Sequence, residues 1–165
     1  LPVTFYKSDK DLPGFSDYSM TGRTYRYFNG QALYPFGFGL SYSTFKYSIP
    51  KAPSTIAKGK PVKIFFTLVN TGKTDGEEVA QLYITHAGAM QKPIRALKGF
   101  QRVFLKAGET KTISFTLTSE QLSLVNEGGM LYQPTGKINI SIGGGQPGVP
   151  NKSSSNTVTK VIAVK

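Results

Sequence analysis

The sequence contains no cysteine. That absence removes disulfide frameworks, zinc ribbons, iron–sulfur centres and thiol catalysis together. It has one histidine, His86, so no site needing two imidazoles can form. No apolar run exceeds four residues (161–164), far short of the roughly 20 that a bilayer-spanning helix needs, and no membrane span is expected. Acidic residues are scarce: nine Asp and Glu stand against twenty Lys and Arg, for a formal net charge of +11. Such an excess raises the question of an acidic partner, whose binding would weaken steeply with salt. The lysines, however, are spread through turns and strand faces, which reads as a solvated surface, and no nucleic-acid partner is expected. No basic segment leads into an apolar stretch as in a signal peptide, so localisation is not legible in the residues. The opening Pro2-Val-Thr-Phe-Tyr6 reads as a strand already in progress, as in a piece of a longer protein.

What is present suffices for a domain. At 165 residues and 39% apolar content, the chain can hide roughly two-thirds of its unfolded surface. Eighteen glycines and ten prolines predict frequent turns. Residues 1–44 are dense in Tyr, Phe, Gly and Pro with little periodicity, whereas from Phe45 onward the period is two. Val62, Ile64, Phe66 and Leu68 alternate along one stretch, Ile113, Phe115 and Leu117 along another, and Ile138, Ile140 and Ile142 along a third. Half-buried antiparallel strands read this way. Further strands are expected over 45–49, 78–85, 97–105 and 158–164, with a bulge at Gly99 where the alternation breaks. Only the stretch 119–124 could hold a helical turn, with Ser119 as its N-cap. About seven strands separated by short turns predict an all-β, antiparallel immunoglobulin or fibronectin III-like sandwich preceded by an irregular connector. Residues 143–156 read as a long, polar, Gly/Ser-rich loop.

No catalytic constellation emerges. Acid–base chemistry on an acetal needs two converging carboxylates, and the adjacent Glu77 and Glu78 would point to opposite faces of a strand. Asp9 and Asp11 begin a calcium-loop spacing, but Pro13 and Met20 stand where further ligands belong. His86 closes a strand with no nucleophile elbow anywhere in the chain, and reads as a surface residue. Gly143-Gly-Gly-Gln-Pro-Gly148 has P-loop glycine spacing but continues as Val149-Pro150 in place of Lys-Ser/Thr. Asn139 and Asn151 each open a glycosylation sequon. No cofactor or metal is expected. The basic and aromatic run Gly22-Arg-Thr-Tyr-Arg-Tyr-Phe28 could instead stack a sugar. Tyr25, Arg26 and Tyr27, with Tyr83 on a strand, are therefore candidate carbohydrate or interdomain contacts.

Several stretches resemble the family 3 glycoside hydrolases, in the bacterial β-glucosidase and β-xylosidase branch that ends in a fibronectin III-like domain. They are Leu1-Pro-Val-Thr-Phe-Tyr-Lys-Ser8, Asp11-Leu-Pro13, Gly22-Arg-Thr-Tyr-Arg-Tyr-Phe28 and Leu33-Tyr-Pro-Phe-Gly-Phe-Gly-Leu-Ser-Tyr-Ser-Thr-Phe45. Val69-Asn-Thr-Gly72, Gly76-Glu-Glu-Val-Ala-Gln-Leu-Tyr-Ile84 and Leu97-Lys-Gly-Phe100 continue the match in order. The resemblance implies that residues 1–44 are the end of an α/β sandwich domain plus a connector, and 45–165 the fibronectin III-like domain. It implies a retaining exo-acting β-glycosidase as parent, periplasmic or secreted in a bacterium. That parent's nucleophile and acid/base carboxylates lie upstream, so the chain is expected to be inert and to buttress the catalytic domains. Tyr34, Phe36, Phe38 and Tyr42 are expected to pack the connector onto the sandwich, because so many aromatics do not suit a free linker. The alternative is a carbohydrate- or surface-binding module that uses the connector's aromatic and basic residues, with polysaccharide as partner. The first eight residues, from Leu1 to Ser8, are expected to pair with the sandwich or with a second copy, any such dimer being an artefact of truncation.

Overall fold

The computed structural model describes residues 1–88, 92–149 and 155–165. The sequon at Asn151 and the middle of the expected 143–156 loop lie outside them. In chain order the strands are β1 (Phe5–Tyr6), β2 (Ala32–Tyr34), β3 (Phe45–Tyr47), β4 (Thr55–Ile56), β5 (Val62–Asn70) and β6 (Gly76–His86). They continue with β7 (Ala96–Leu105), β8 (Thr110–Leu117), β9 (Leu124–Val125), β10 (Leu131–Tyr132), β11 (Gly136–Gly143) and β12 (Thr157–Val164). One helical turn, α1 (Thr24–Tyr27), and a 3-10 turn at Asp9–Asp11 precede the sandwich.

Two sheets carry the fold, one in the order β4-β12-β11-β6-β7 and one in the order β3-β5-β8. All their pairings are antiparallel except the short parallel contact of β4 with β12. The period-two pattern decides which side chains meet between them. Ile64, Phe66 and Leu68 of β5 face Ala80, Leu82 and Ile84 of β6 and Ile138, Ile140 and Ile142 of β11 in one buried cluster. Each fully buried aliphatic contributes about 1.5–3 kcal/mol by transfer from water. The bulge falls where the broken alternation places it: Leu82 pairs with Gly99 and Tyr83 with Leu97, leaving Lys98 as the extra residue. The expected helical turn is a turn only, and its cap lies one residue earlier. The Thr118 hydroxyl accepts from Gln121 N–H while the Gln121 side chain accepts from Thr118 N–H. A Thr-x-x-Gln pair can satisfy both donors reciprocally; Ser119 has no such partner three residues on.

The first eight residues correct the expectation made for them. β1 pairs antiparallel with β2, inside the connector, and the Leu1 carbonyl accepts from Gly37 N–H at 2.8 Å. The physical reason is proximity: the connector doubles back after α1 and offers its own strand. Neither the sandwich nor a second copy is needed.

Candidate functional site

The connector lies on the outer face of the β6–β7 half of the larger sheet, and the residues of that seam are mostly polar. Gly37 makes the close approach possible, with φ +78° and a Cβ position that would fall 2.3 Å from Gln81 Oε1. Gln81 Nε2 donates to the carbonyls of Gly37 and Gly144, both at 3.0 Å, and Tyr83 donates its hydroxyl to Gln81 Oε1 at 2.6 Å. Gln146 donates to the Phe36 carbonyl at 2.9 Å and accepts from the buried Arg95 at 2.7 Å. Burial lowers the Arg95 pKa and raises that of Tyr83, so the network holds one guanidinium and a neutral phenol. Backbone bonds add to it: Ile94 N–H donates to the Arg26 carbonyl at 2.7 Å, and Leu97 N–H donates to the Tyr25 hydroxyl at 3.2 Å. Next to the seam, an open cavity of about 520 Å³ is lined by Phe36, Phe38, Leu40, Phe100 and Arg102 among others.

The candidate aromatics part company here. Tyr25 is half-buried, with Phe36 stacked on it at 4.2 Å between ring centroids and Tyr83 edge-on at 6.2 Å. Tyr83 is 0% exposed. It is therefore a packing residue under the connector and offers no ring to a sugar, which corrects the carbohydrate half of the expectation for it. Its position on the outer face of β6 suggested exposure; the connector covers it. Phe36 and Phe38 are half-buried, while Tyr34 touches Phe5 and Phe38 yet remains 43% exposed. Tyr42 is 102% exposed and packs on nothing, which corrects the expectation for it. Its neighbour Ser43 does the anchoring, donating to the buried Asn70 at 2.5 Å. Arg26 and Tyr27 stay together, with the guanidinium 5.7 Å from the centre of the tyrosine ring.

Glu77 and Glu78 do point to opposite faces. Glu77 is exposed and pairs with Arg102 at 3.4 Å, whereas Glu78 is buried and accepts from the Tyr47 hydroxyl at 2.9 Å. Burial pushes the Glu78 pKa up, against the lowering effect of hydrogen bonds from Ser155 and Tyr47. Asp9 and Asp11 serve the 3-10 turn, accepting from the Ser8 hydroxyl and the Ser8 N–H respectively. Among the described residues no three His, Asp or Glu groups gather to hold a metal, and no helix is long and apolar enough to cross a membrane. His86 is not at the surface: it is 5% exposed, its Nε2 has no partner, and its pKa falls to about 4 through burial and the nearby Lys92 and Lys98.

Comparison with known proteins fits this geometry. A fibronectin type III-like domain is recognised over residues 78–146. A xylan 1,4-β-xylosidase of Xylanibacter ruminicola is 46% identical over 122 residues, 74% of this chain and 14% of that protein. A periplasmic β-glucosidase of Salmonella typhimurium is 37% identical over 158 residues, 87% of this chain and 20% of that protein. A solved β-glucosidase of Erythrobacter marinus superposes with a TM-score of 0.80 at 31% identity, covering 98% of this chain and 21% of that one. The chain thus spans about a fifth or less of the length of each of these proteins. With the sandwich, the connector and these matches in register, the chain belongs to the fibronectin type III-like C-terminal domains of the family 3 glycoside hydrolases.

Proposed function

We propose that the chain is a non-catalytic buttress within a longer β-glycosidase acting on β-glucosides or β-xylosides, with residues 1–44 as connector and 45–165 as the supporting domain. The observation that carries this reading is a connector that is fixed to the sheet and still exposes large apolar side chains. It is fixed through Tyr25, Phe36, Gly37, Gln81 and Gln146. Leu1, Val3, Phe5, Leu33 and Leu40 of the same segment remain exposed, which suits burial against the rest of such an enzyme. Fixation to one domain with apolar surface left for another is what a strut between domains requires.

The relatives' activities motivate the test. The chain alone, assayed with aryl β-glucoside and aryl β-xyloside, is expected to release no aryl alcohol above the uncatalysed rate. In the full-length enzyme, Leu33→Ser with Leu40→Ser is expected to lower thermal stability with little change in KM. Turnover by the isolated chain that a point change in it abolishes would overturn the reading, as would full stability in the double variant.

A further inference from the structure

A second cavity, of about 290 Å³, lies at the far end of β6, with His86 in its wall. Two of its lining groups are Arg26, in the helical turn α1, and Lys98. Lys98 is the extra residue of the β7 bulge, a device that re-aims a side chain. Arg26 follows Thr24, whose φ of +53° is a strained conformation for a β-branched residue. Burial and the nearby Arg26 lower the Lys98 pKa. All nine carboxylates of the chain are among the described residues, yet neither Arg26 nor Lys98 forms a salt bridge with any of them. Lys92, whose ammonium donates to the His86 carbonyl, adds a third positive charge beside the imidazole. Glu120 is the carboxylate in the same wall, yet no ion pair joins it to these cations, which lie beside a buried nitrogen without a partner.

The remaining wall narrows the ligand. Tyr27 and Tyr132 offer ring faces of the kind that stack on an apolar pyranose face, while the exposed Glu120 and the half-buried Ser123, whose hydroxyl donates to the Ser119 carbonyl and can still accept, suit hydroxyl groups. The volume lies just below the ligand-pocket range of about 300–1,000 Å³ and suits one sugar ring. A plain anion would leave Glu120 opposed, and a neutral sugar would leave the partly buried Lys98 uncompensated. We propose that this cavity binds a uronic acid unit, its carboxylate held by Arg26 and Lys98 and its hydroxyls by Glu120 and Ser123, with Tyr27 and Tyr132 against the ring. The site takes Arg26 and Tyr27 from the connector at the edge of the seam, but it does not depend on the buttress reading.

The single histidine makes the test direct, because the chain has one set of imidazole resonances. Titration with D-glucuronate, followed by those resonances and by calorimetry, is expected to saturate and to raise the apparent pKa of His86, since a bound carboxylate offsets Lys92 and Lys98. D-Glucose is expected to bind at least about tenfold more weakly, and Arg26→Gln or Lys98→Gln to weaken glucuronate about fivefold or more, with unchanged thermal stability for the exposed Arg26. A disaccharide ending in glucuronate distinguishes the sources: saturation by it alone assigns the site to a chain-linked uronate, and saturation by both to the free acid as well. Glucose binding as tightly as glucuronate would overturn the proposal. So would a response reproduced by acetate at equal ionic strength, binding undiminished in both variants, or no saturation with either uronate.

Discussion

Two buried ionisable side chains give the domain opposing pH dependences. The folded state holds the Glu78 proton more tightly than the ordinary pKa of 4.5 would imply. The stabilisation is complete below that value and is lost as pH rises through the raised one. Glu78→Gln keeps an acceptor for Tyr47 without the charge. It is expected to match the parent chain in urea denaturation at pH 4 and to exceed it at pH 8 by on the order of 1 kcal/mol. His86 works the other way. Its folded pKa of about 4 lies below the ordinary 6.5, so its contribution is complete above 6.5 and is lost as pH falls through 4. His86→Asn is expected to flatten the loss between pH 6.5 and 4 by about 2 kcal/mol, read from the same denaturation curves. The opposed faces of Glu77 and Glu78 were legible from strand alternation alone. The burial of His86 was legible too, since Ala80, Leu82, Ile84 and His86 share one parity; only its place at a strand end suggested exposure. Tyr83 was not legible. Its parity is outward, and what covers it is more than forty residues away in sequence.

At the scale of elements, period two marked β5 and β8 because each buries one face, whereas β6 buries residues of both parities from Ala80 to Ile84. Gly99 located the bulge because alternation cannot pass through an unpaired residue. The short strands were invisible: β4, β9 and β10 have two residues each, too few to carry a period. The pairing of β1 with β2 was hidden for a related reason, since nothing local in Ala32–Tyr34 marks it as a partner. Gly37 shows how much one backbone position can control. Alanine there would have to adopt a left-handed conformation and displace the Gln81 side chain, which bonds both the connector and the Gly144 carbonyl. Gly37→Ala is expected to cost about 1–3 kcal/mol. A lower urea midpoint together with unchanged far-ultraviolet dichroism of the sandwich would locate that cost in the seam.

The whole molecule is a stable sandwich with a connector fastened to it by a small number of residues, and the two parts should open separately. The sandwich rests on a contiguous cluster from both sheets, with Ile64, Leu68, Leu82, Leu105, Ile138 and Ile140 all without exposed surface. The connector has one fully buried anchor beneath it, Tyr83, and paired strands of two and three residues. Local opening free energy follows buried apolar contact, so the connector belongs to the low end of the range and the sandwich to the global end. Tyr83→Ala removes the ring under Tyr25 and the hydroxyl that orients Gln81. Native-state hydrogen exchange is expected to show faster exchange at the Gly37, Ile94 and Leu97 amides, which bond across or beside the seam. The amides of Ile64, Phe66 and Ile140, inside the two sheets, are expected to keep their protection. Uniform acceleration at all six would mean that the connector is part of the sandwich's cooperative core, and the division at residue 44 would then have to be abandoned.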